Sequence, residues 1–177
     1  MGNATGAVVF QPPALPKWRS RGRHRGGNAR GEPMAELHEG GCLCRSIRYQ
    51  VEGEPVRTTL CHCTFCQHVT GSAFVADALF PKEAVSIEGT FSTYDHESDQ
   101  SGYLITIQFC PRCGTTFGMT FERFPDVQGI MIGTLDDPNW PGIDKHQFTR
   151  SAFRWMQFPP EVPLFEDHPN PARKPDR

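Results

Sequence analysis

All seven cysteines of the 177-residue chain fall into three short clusters, and their spacing constrains the fold more than any other feature of the sequence. Thiolates are soft ligands that select zinc, and cysteines two or three residues apart can bind one ion together. The spacing therefore predicts metal sites that join distant segments of the chain. The clusters are Cys42-Leu43-Cys44, Cys61-His62-Cys63-Thr64-Phe65-Cys66 and Cys110-Pro111-Arg112-Cys113.

A disulfide framework and simple burial are the two alternative explanations of these cysteines. An odd number of cysteines argues against complete pairing, and a disulfide within a Cys-x-Cys motif would close a small, strained ring. Metal-bound thiolates fit a reducing compartment, so we expect a cytoplasmic protein. The sequence contains no apolar run of about 18 residues, the length that a membrane-spanning helix needs, so no membrane association is expected.

The seven cysteines divide into four plus three. The Cys42/Cys44 pair precedes a predicted strand and the Cys110/Cys113 pair follows one, and each pair lies in a turn that contains glycine. Two such pairs can supply four sulfurs to one closed, tetrahedral zinc site. The middle cluster is left with three sulfurs and one open position, which is how a reactive zinc site is built. We therefore expect two Zn²⁺ ions per chain. The structural site would be formed by Cys42, Cys44, Cys110 and Cys113, and the second, open site by Cys61, Cys63 and Cys66.

The hydrophobic pattern predicts a mostly β fold. Ile47, Tyr49 and Val51 alternate with polar residues, as in a half-buried strand, and no segment shows a sustained 3.6-residue apolar period. Thr64–Thr70 is predicted to form a brief helical turn that a glycine ends, and the prolines beyond Phe158 predict an extended segment without regular structure. Further short strands are expected at residues 56–60, 73–80, 84–88, 91–94, 103–109, 115–121 and 128–132.

Residues 1–33 differ in composition from the rest of the chain. They are rich in glycine and proline and contain six Lys or Arg residues but only one acidic residue, Glu32. We expect a disordered basic tail, or an extension upstream of a true start at Met34, followed by a single zinc-binding β domain over residues 34–177. A basic tail could bind nucleic acid or direct the protein to an organelle, but glycines interrupt the helix that a transit peptide needs. Because the rest of the chain is acidic, nucleic acid is not the expected partner.

Five motifs surround and follow the cysteines, in the order Gly41-Cys42-Leu43-Cys44, Cys61–Cys66, Gly71-Ser72-Ala73-Phe74, Phe109–Gly114 and Gly133–Pro138. Together they resemble the glutathione-dependent formaldehyde-activating enzymes, which share a domain with centromere protein V, and the similarity runs from about Gly40 to Trp155. The resemblance implies a mostly β, zinc-stapled β-tent fold, in which bound zinc holds several short antiparallel sheets together. It also implies that the four-cysteine set holds structural zinc and that Cys61, Cys63 and Cys66 are the catalytic cluster.

The reaction implied by this resemblance joins formaldehyde to glutathione and gives S-(hydroxymethyl)glutathione, as a carbon–sulfur lyase. The ligand set favours the same kind of chemistry. A zinc ion with three thiolates carries a net negative formal charge and is a poor Lewis acid, which disfavours a zinc-hydroxide hydrolase. Such an ion can still bind an incoming thiol and lower its pKa. The expected partners are therefore a small-molecule thiol such as glutathione and a small aldehyde.

The sequence departs from the family pattern in two places. Arg45 stands where the family often has glycine, which should alter the turn beside the structural zinc. Gln67-His68 replaces a pair that is frequently basic, which argues against the binding of glutathione carboxylates by this pair.

Other candidate residues carry weaker signals. His62, His68 and Ser72 could line the pocket of the middle cluster, although His62 could also point outward and Gly71-Ser72 could be only a turn. Asp136-Asp137-Pro138 is interpreted as a turn or cap. The core is predicted to contain Phe65, Phe74, Phe109, Phe117, Phe121 and Trp155.

Two further functions compete with the enzyme hypothesis. The first is a non-catalytic zinc-binding interaction module resembling centromere protein V, in which both zinc ions are structural. The second is redox sensing through Cys61–Cys66, which is disfavoured because coordinated thiolates are shielded from oxidants.

Overall fold

The structure is a computed structural model that describes residues 36–175, so the interpretation of residues 1–33 lies outside the described range. Within this range the chain is mostly β, as predicted, with eleven strands and one α-helix. No helix of the described part is long and apolar enough to cross a bilayer. The elements are β1 (Leu37–Gly41), β2 (Arg48–Glu52), β3 (Arg57–Cys61), α1 (Thr64–Thr70), β4 (Val75–Pro81), β5 (Val85–Glu88), β6 (Ser92–Glu97), β7 (Leu104–Phe109), β8 (Thr116–Phe121), β9 (Phe124–Met131), β10 (Lys145–Gln147) and β11 (Leu164–Phe165).

The strands form two sheets. The smaller sheet has the order β1-β2-β5, and the larger has the order β11-β10-β3-β4-β9-β8-β7-β6. Most neighbours are antiparallel, but β10 is parallel to both β3 and β11. The segment beyond Phe158 therefore contributes a two-residue strand, where the sequence predicted no regular structure. Strands this short carry no alternation of their own and form because a neighbouring strand offers free backbone groups.

The clearest sequence predictions are confirmed in detail. Ile47, Tyr49 and Val51 all face the core, with at most 1% of each residue exposed. Helix α1 spans Thr64–Thr70 and ends at Gly71, whose φ of 62° is the left-handed conformation that glycine adopts at little cost. Strand β1 was not predicted, since its sequence Leu-His-Glu-Gly-Gly shows neither alternation nor β-branched residues.

Hydrophobic cores lie on both faces of the larger sheet. Ala78 and Phe80 of β4 pack in the first core, together with Tyr49 of the smaller sheet, whereas Val75 of the same strand faces the second core. Phe117 is fully buried as predicted, but Trp155 is 68% exposed and is not a core residue. Trp155 follows the last 3₁₀ turn in a segment without strand pairing, where no layer covers it. Each core contains one of the cysteine clusters.

Candidate metal centre and active site

The structure brings the four cysteines of the first group together in the first core. Their sulfur atoms all lie within 4.8 Å of one another. The Cys42–Cys44 Sγ separation is 3.6 Å and the Cys44–Cys110 separation is 3.7 Å. A tetrahedral zinc with Zn–S bonds of about 2.3 Å separates its sulfurs by about 3.8 Å. The donor set and its dimensions therefore fit a closed Zn²⁺ site.

Two turns hold these sulfurs in place. In the first, the Arg45 N–H donates to the Cys42 carbonyl at 2.9 Å, and the Ile47 N–H donates to the Cys42 sulfur at 3.3 Å. Arg45 has a φ of 60°, so it keeps the left-handed conformation that a glycine would favour here. The turn therefore keeps the backbone conformation that a glycine would give it, and Arg45 adopts this conformation at a cost in strain. Ser46, which the sequence analysis did not identify, places its hydroxyl 3.1 Å from the Cys44 sulfur and 3.3 Å from the Cys110 sulfur.

The three cysteines of the second group meet at the junction of β3 and α1. Cys61 is the last residue of β3, Cys63 is the N-cap of α1, and Cys66 lies in the first turn of that helix. The Cys61 and Cys63 sulfurs are 3.6 Å apart, and the Cys66 N–H donates to the Cys63 sulfur at 3.4 Å. All three sulfurs lie within 4.8 Å of one another, so this group also could hold a metal ion.

Hydrogen bonds among the three thiols determine which of them is ionised when no ion is bound. Hydrogen bonds from the Cys61 and Cys66 thiols lower the pKa of Cys63 to about 3. The hydrogen bond that Cys61 makes to Cys63 raises the pKa of Cys61 to about 12, and those to Cys61 and Cys63 raise that of Cys66. The cluster by itself thus favours one thiolate, since close negative charges repel. A divalent cation among the sulfurs would favour ionisation of all three, and soft thiolates suit zinc.

A cavity of about 600 Å³ opens beside the second cysteine cluster. Its floor is one face of the larger sheet, because the lining residues alternate along the strands. On β3 and β4 the register pairs Cys61 with Val75 and Thr59 with Asp77, and on β10 it places Gln147 beside Cys61. Polar residues that line the cavity besides the cysteines include Arg57, Asp77, His96, Arg123, Gln147 and His168.

Asp77 is the acidic residue of the cavity floor. Burial raises its pKa to about 6, although the positive charges of Arg57 and Lys145 act in the opposite direction. A carboxyl group with such a pKa can hold or release a proton near neutral pH. Sequence reasoning missed Asp77. Its position two residues after Val75, in the predicted strand 73–80, is the signal that places it on the same face.

His62 lies on the opposite side of the chain from the neighbouring cysteines. It is fully buried and does not line the cavity. Its Nε2 atom lies 2.9 Å from Nδ1 of His146, and both rings pack against Phe158. His62 therefore points away from the cysteine cluster, as one alternative from the sequence had it, but into a buried contact rather than into solvent. Burial lowers the pKa of His62.

His68 and Ser72 are exposed and do not line the cavity. Gln67, in the position where the family often has a basic residue, donates to the carbonyl oxygens of His62 and Ser151 at 2.8 and 2.9 Å. It therefore fastens α1 to the segment after β10. Asp137 accepts a hydrogen bond from the Asn139 N–H at 3.2 Å, which is the turn that the sequence predicts.

Comparisons with known proteins gave one family match and a similar solved structure. A family model described as "Glutathione-dependent formaldehyde-activating enzyme" matches residues 37–151. Among solved structures, the crystal structure of a Rhodobacter sphaeroides protein is similar, with 16% sequence identity and a TM-score of 0.44 over 71% of this chain and 98% of that chain. No curated protein matches the sequence significantly.

Proposed function

The chain belongs to the glutathione-dependent formaldehyde-activating enzyme family, and on this premise we propose that it is a zinc-dependent carbon–sulfur lyase. It would add the thiol of glutathione to formaldehyde, or to a similar small aldehyde, and form an S-hydroxymethyl adduct. Family membership supports a glutathione-related, formaldehyde-activating role. The observation that carries the proposal is the position of the three-cysteine cluster, whose sulfurs line one end of a 600 Å³ cavity.

The two cysteine clusters would have different roles. The open zinc would be held by three sulfurs, and when bound it supplies a position for the substrate thiol and lowers the pKa of that thiol. The closed zinc would only join the turn before β2 to the turn after β7. The proposed ligands are Cys61, Cys63 and Cys66 for the open site, and Cys42, Cys44, Cys110 and Cys113 for the closed site.

The side chains around the cavity would position the reactants and exclude water. The rings of Phe65 and His96 stack with their centroids 4.4 Å apart, and this pair forms a wall beside the cysteines. Ile105 and Met119 cover the adjoining floor with apolar surface. A small aldehyde at this end of the cavity would therefore meet the thiol in a partly dry environment.

The addition also needs a proton transfer. A carbon–sulfur bond forms, the π electrons of the carbonyl move to its oxygen, the sulfur loses a proton and the oxygen gains one. Asp77 is the proposed donor to that oxygen, because its carboxyl lines the cavity and has a pKa of about 6. In the β3–β4 register it is the diagonal neighbour of Cys61, which places the two residues about 7–8 Å apart on one face of the sheet.

The test is the rate of adduct formation, measured by exchange NMR on mixtures of glutathione and formaldehyde. Because the two compounds also combine without a catalyst, the wild-type protein is compared with a Cys63→Ser variant at equal concentration. We expect faster exchange with the wild-type protein. Equal rates for the two proteins would contradict catalysis and favour the interaction module resembling centromere protein V.

A further inference from the structure

The cavity extends well beyond the cysteine cluster and contains an arginine at its far end. Arg57 and Cys61 lie on the same face of β3, and four residues of extended strand separate their Cα atoms by about 13 Å. The Nε atom of Arg57 is buried and has no hydrogen-bond partner within the described residues. A buried donor without a partner is costly, and more so when it belongs to a charged group. This atom is therefore a donor that a ligand acceptor in the cavity could satisfy.

Other positive charges converge on the same end of the cavity. Burial lowers the pKa of His168, and so do the charges of Arg123, Arg57 and Lys145. Neither Arg57 nor Arg123 has a carboxylate within ion-pair distance in the part of the chain that the structure describes. The region around His168 is thus electropositive.

The acidic groups of the cavity do not neutralise this region. Asp167 pairs with Arg150 at 2.6 Å, and Asp99 is exposed. Asp77 lies near Arg57 and Lys145 and is mostly ionised above its pKa of about 6, but this one carboxylate offsets only part of the combined positive charge of Arg57, Lys145 and Arg123. An anionic ligand group would find two guanidinium groups without a carboxylate partner.

The roof over this end comes from the C-terminal strap, which we define as residues 167–174. The strap is held by hydrogen bonds to backbone carbonyls: the Lys174 N–H donates to the Ser101 carbonyl at 2.7 Å, and the side-chain Nη2 of Arg123 donates to the Asn170 carbonyl at 3.0 Å. Arg173 Nε donates to the Gln100 carbonyl at 3.2 Å. The strap lies outside the family-matched segment, which ends at residue 151, so that segment does not account for this roof.

We infer that the far end of the cavity is a carboxylate-binding subsite, in which Arg57 and Arg123 hold the anionic end of the thiol substrate beneath the C-terminal strap. This inference rests on the proposed function, since the sulfur of the same molecule would lie at the three-cysteine cluster. Planar guanidinium groups match carboxylates in geometry as well as charge. The site would select thiols that carry a carboxylate several bonds away from the sulfur over small neutral thiols. Gln67 and His68 do not line the cavity and so do not take this role.

The binding of S-methylglutathione, measured by isothermal titration calorimetry, tests the subsite without the thiol reaction. We expect Arg57→Gln to weaken binding by about tenfold or more, which is the loss of one charge-assisted interaction. Arg57→Lys should retain part of the affinity, and Arg123→Gln should weaken binding as well. The matched control is Arg154→Gln, because Arg154 is exposed and outside the cavity. The diethyl ester of S-methylglutathione should bind the wild-type protein more weakly than the free acid does.

Melting curves of each variant separate loss of binding from loss of folding. Wild-type affinity in both Arg57→Gln and Arg123→Gln would overturn the subsite, as would equal binding of the ester and the acid. Absence of saturable binding to the wild-type protein at millimolar ligand would overturn it too. Carboxylate-dependent binding without faster adduct formation would contradict the proposed function but support the subsite. Faster adduct formation together with equal binding of the ester and the acid would support the proposed function and contradict the subsite.

Discussion

Arg48 and Asp136 form a two-pronged ion pair, in which Nη1 and Nη2 of the arginine donate to the two carboxylate oxygens at 3.0 and 2.6 Å. The pair joins β2 of the smaller sheet to the turn that follows β9. Asp136 is largely buried, with 18% of its side chain exposed, and Arg48 is 31% exposed. Asp136 is thus part of a contact between sheets, in addition to the turn that its sequence motif predicts.

We predict that Asp136→Asn destabilises the protein by about 1–3 kcal/mol, because it removes the carboxylate that binds both Nη atoms of a partly buried guanidinium and leaves only the longer contact with Glu39 at 3.9 Å. Urea denaturation with zinc present measures the change. Glu54→Gln, at an exposed acidic residue, is the control and should have little effect. A loss no larger than that of the control would show that solvent screens the pair completely.

Asp77 should make stability depend on pH in a specific direction. Its pKa of about 6 in the folded protein is above the ordinary value of 3.8, so the folded state holds the proton more tightly than the unfolded state does. The stabilisation from this group is complete below the unfolded pKa and is lost as pH rises through about 6. Relative to wild type, Asp77→Asn should therefore become more stable at pH 8 than at pH 5.

Chemical denaturation of both proteins at the two pH values, with zinc in excess, measures this difference. A difference in stability that is identical at both pH values would mean that Asp77 titrates normally.

The Asp77→Asn variant should also form adduct more slowly, since a positioned proton donor contributes about 10²–10⁴-fold to the rate.

The two cysteine clusters should respond differently to substitution. Serine at Cys42 or Cys110 should give unfolded or insoluble protein, because both residues are fully buried in the first core and a structural zinc is worth about 10–16 kcal/mol in small peptides. Serine at Cys61 or Cys63 should leave a folded domain that has lost the second zinc. Thermal melting and zinc analysis of each variant check this division of roles, which would be wrong if all the variants melted alike.

We propose that residues 34–177 form one domain and that residues 1–33 do not contribute to its stability. Segments rich in Gly, Pro and Arg without apolar periodicity bury little surface. Deletion of residues 1–33 should therefore leave the melting temperature and the zinc content unchanged. A melting temperature several degrees lower would show that the segment packs on the domain.

The sequence predicted the parts of the site that depend on local spacing. The division of the cysteines, helix α1 with its stop at Gly71, and the face of β2 all follow from motifs or from alternation over a few residues. The fold class followed from the same patterns. These features need no knowledge of which strands become neighbours.

The rest of the cavity depends on long-range pairing, which a single sequence does not encode in a readable pattern. Asp77 and Gln147 come together around β3 only through the register of β4 and the parallel pairing of β10. His168 reaches the cavity because the chain returns over it after β11. Proline composition suggested no structure there, although prolines are compatible with an extended strap. The pairing of His62 with His146 was hidden for the same reason.

The most direct test is whether a thiol reaches the cluster of Cys61, Cys63 and Cys66. Cobalt-substituted protein reports this through its sulfur-to-metal absorption bands, and glutathione is added at neutral pH. Cys63→Ser, which keeps the four-cysteine group intact, is the matched control. We predict that glutathione changes the bands of the wild-type protein and leaves those of the variant unchanged. Unchanged bands in the wild-type protein would show that the thiol does not reach the metal and would contradict the proposed site.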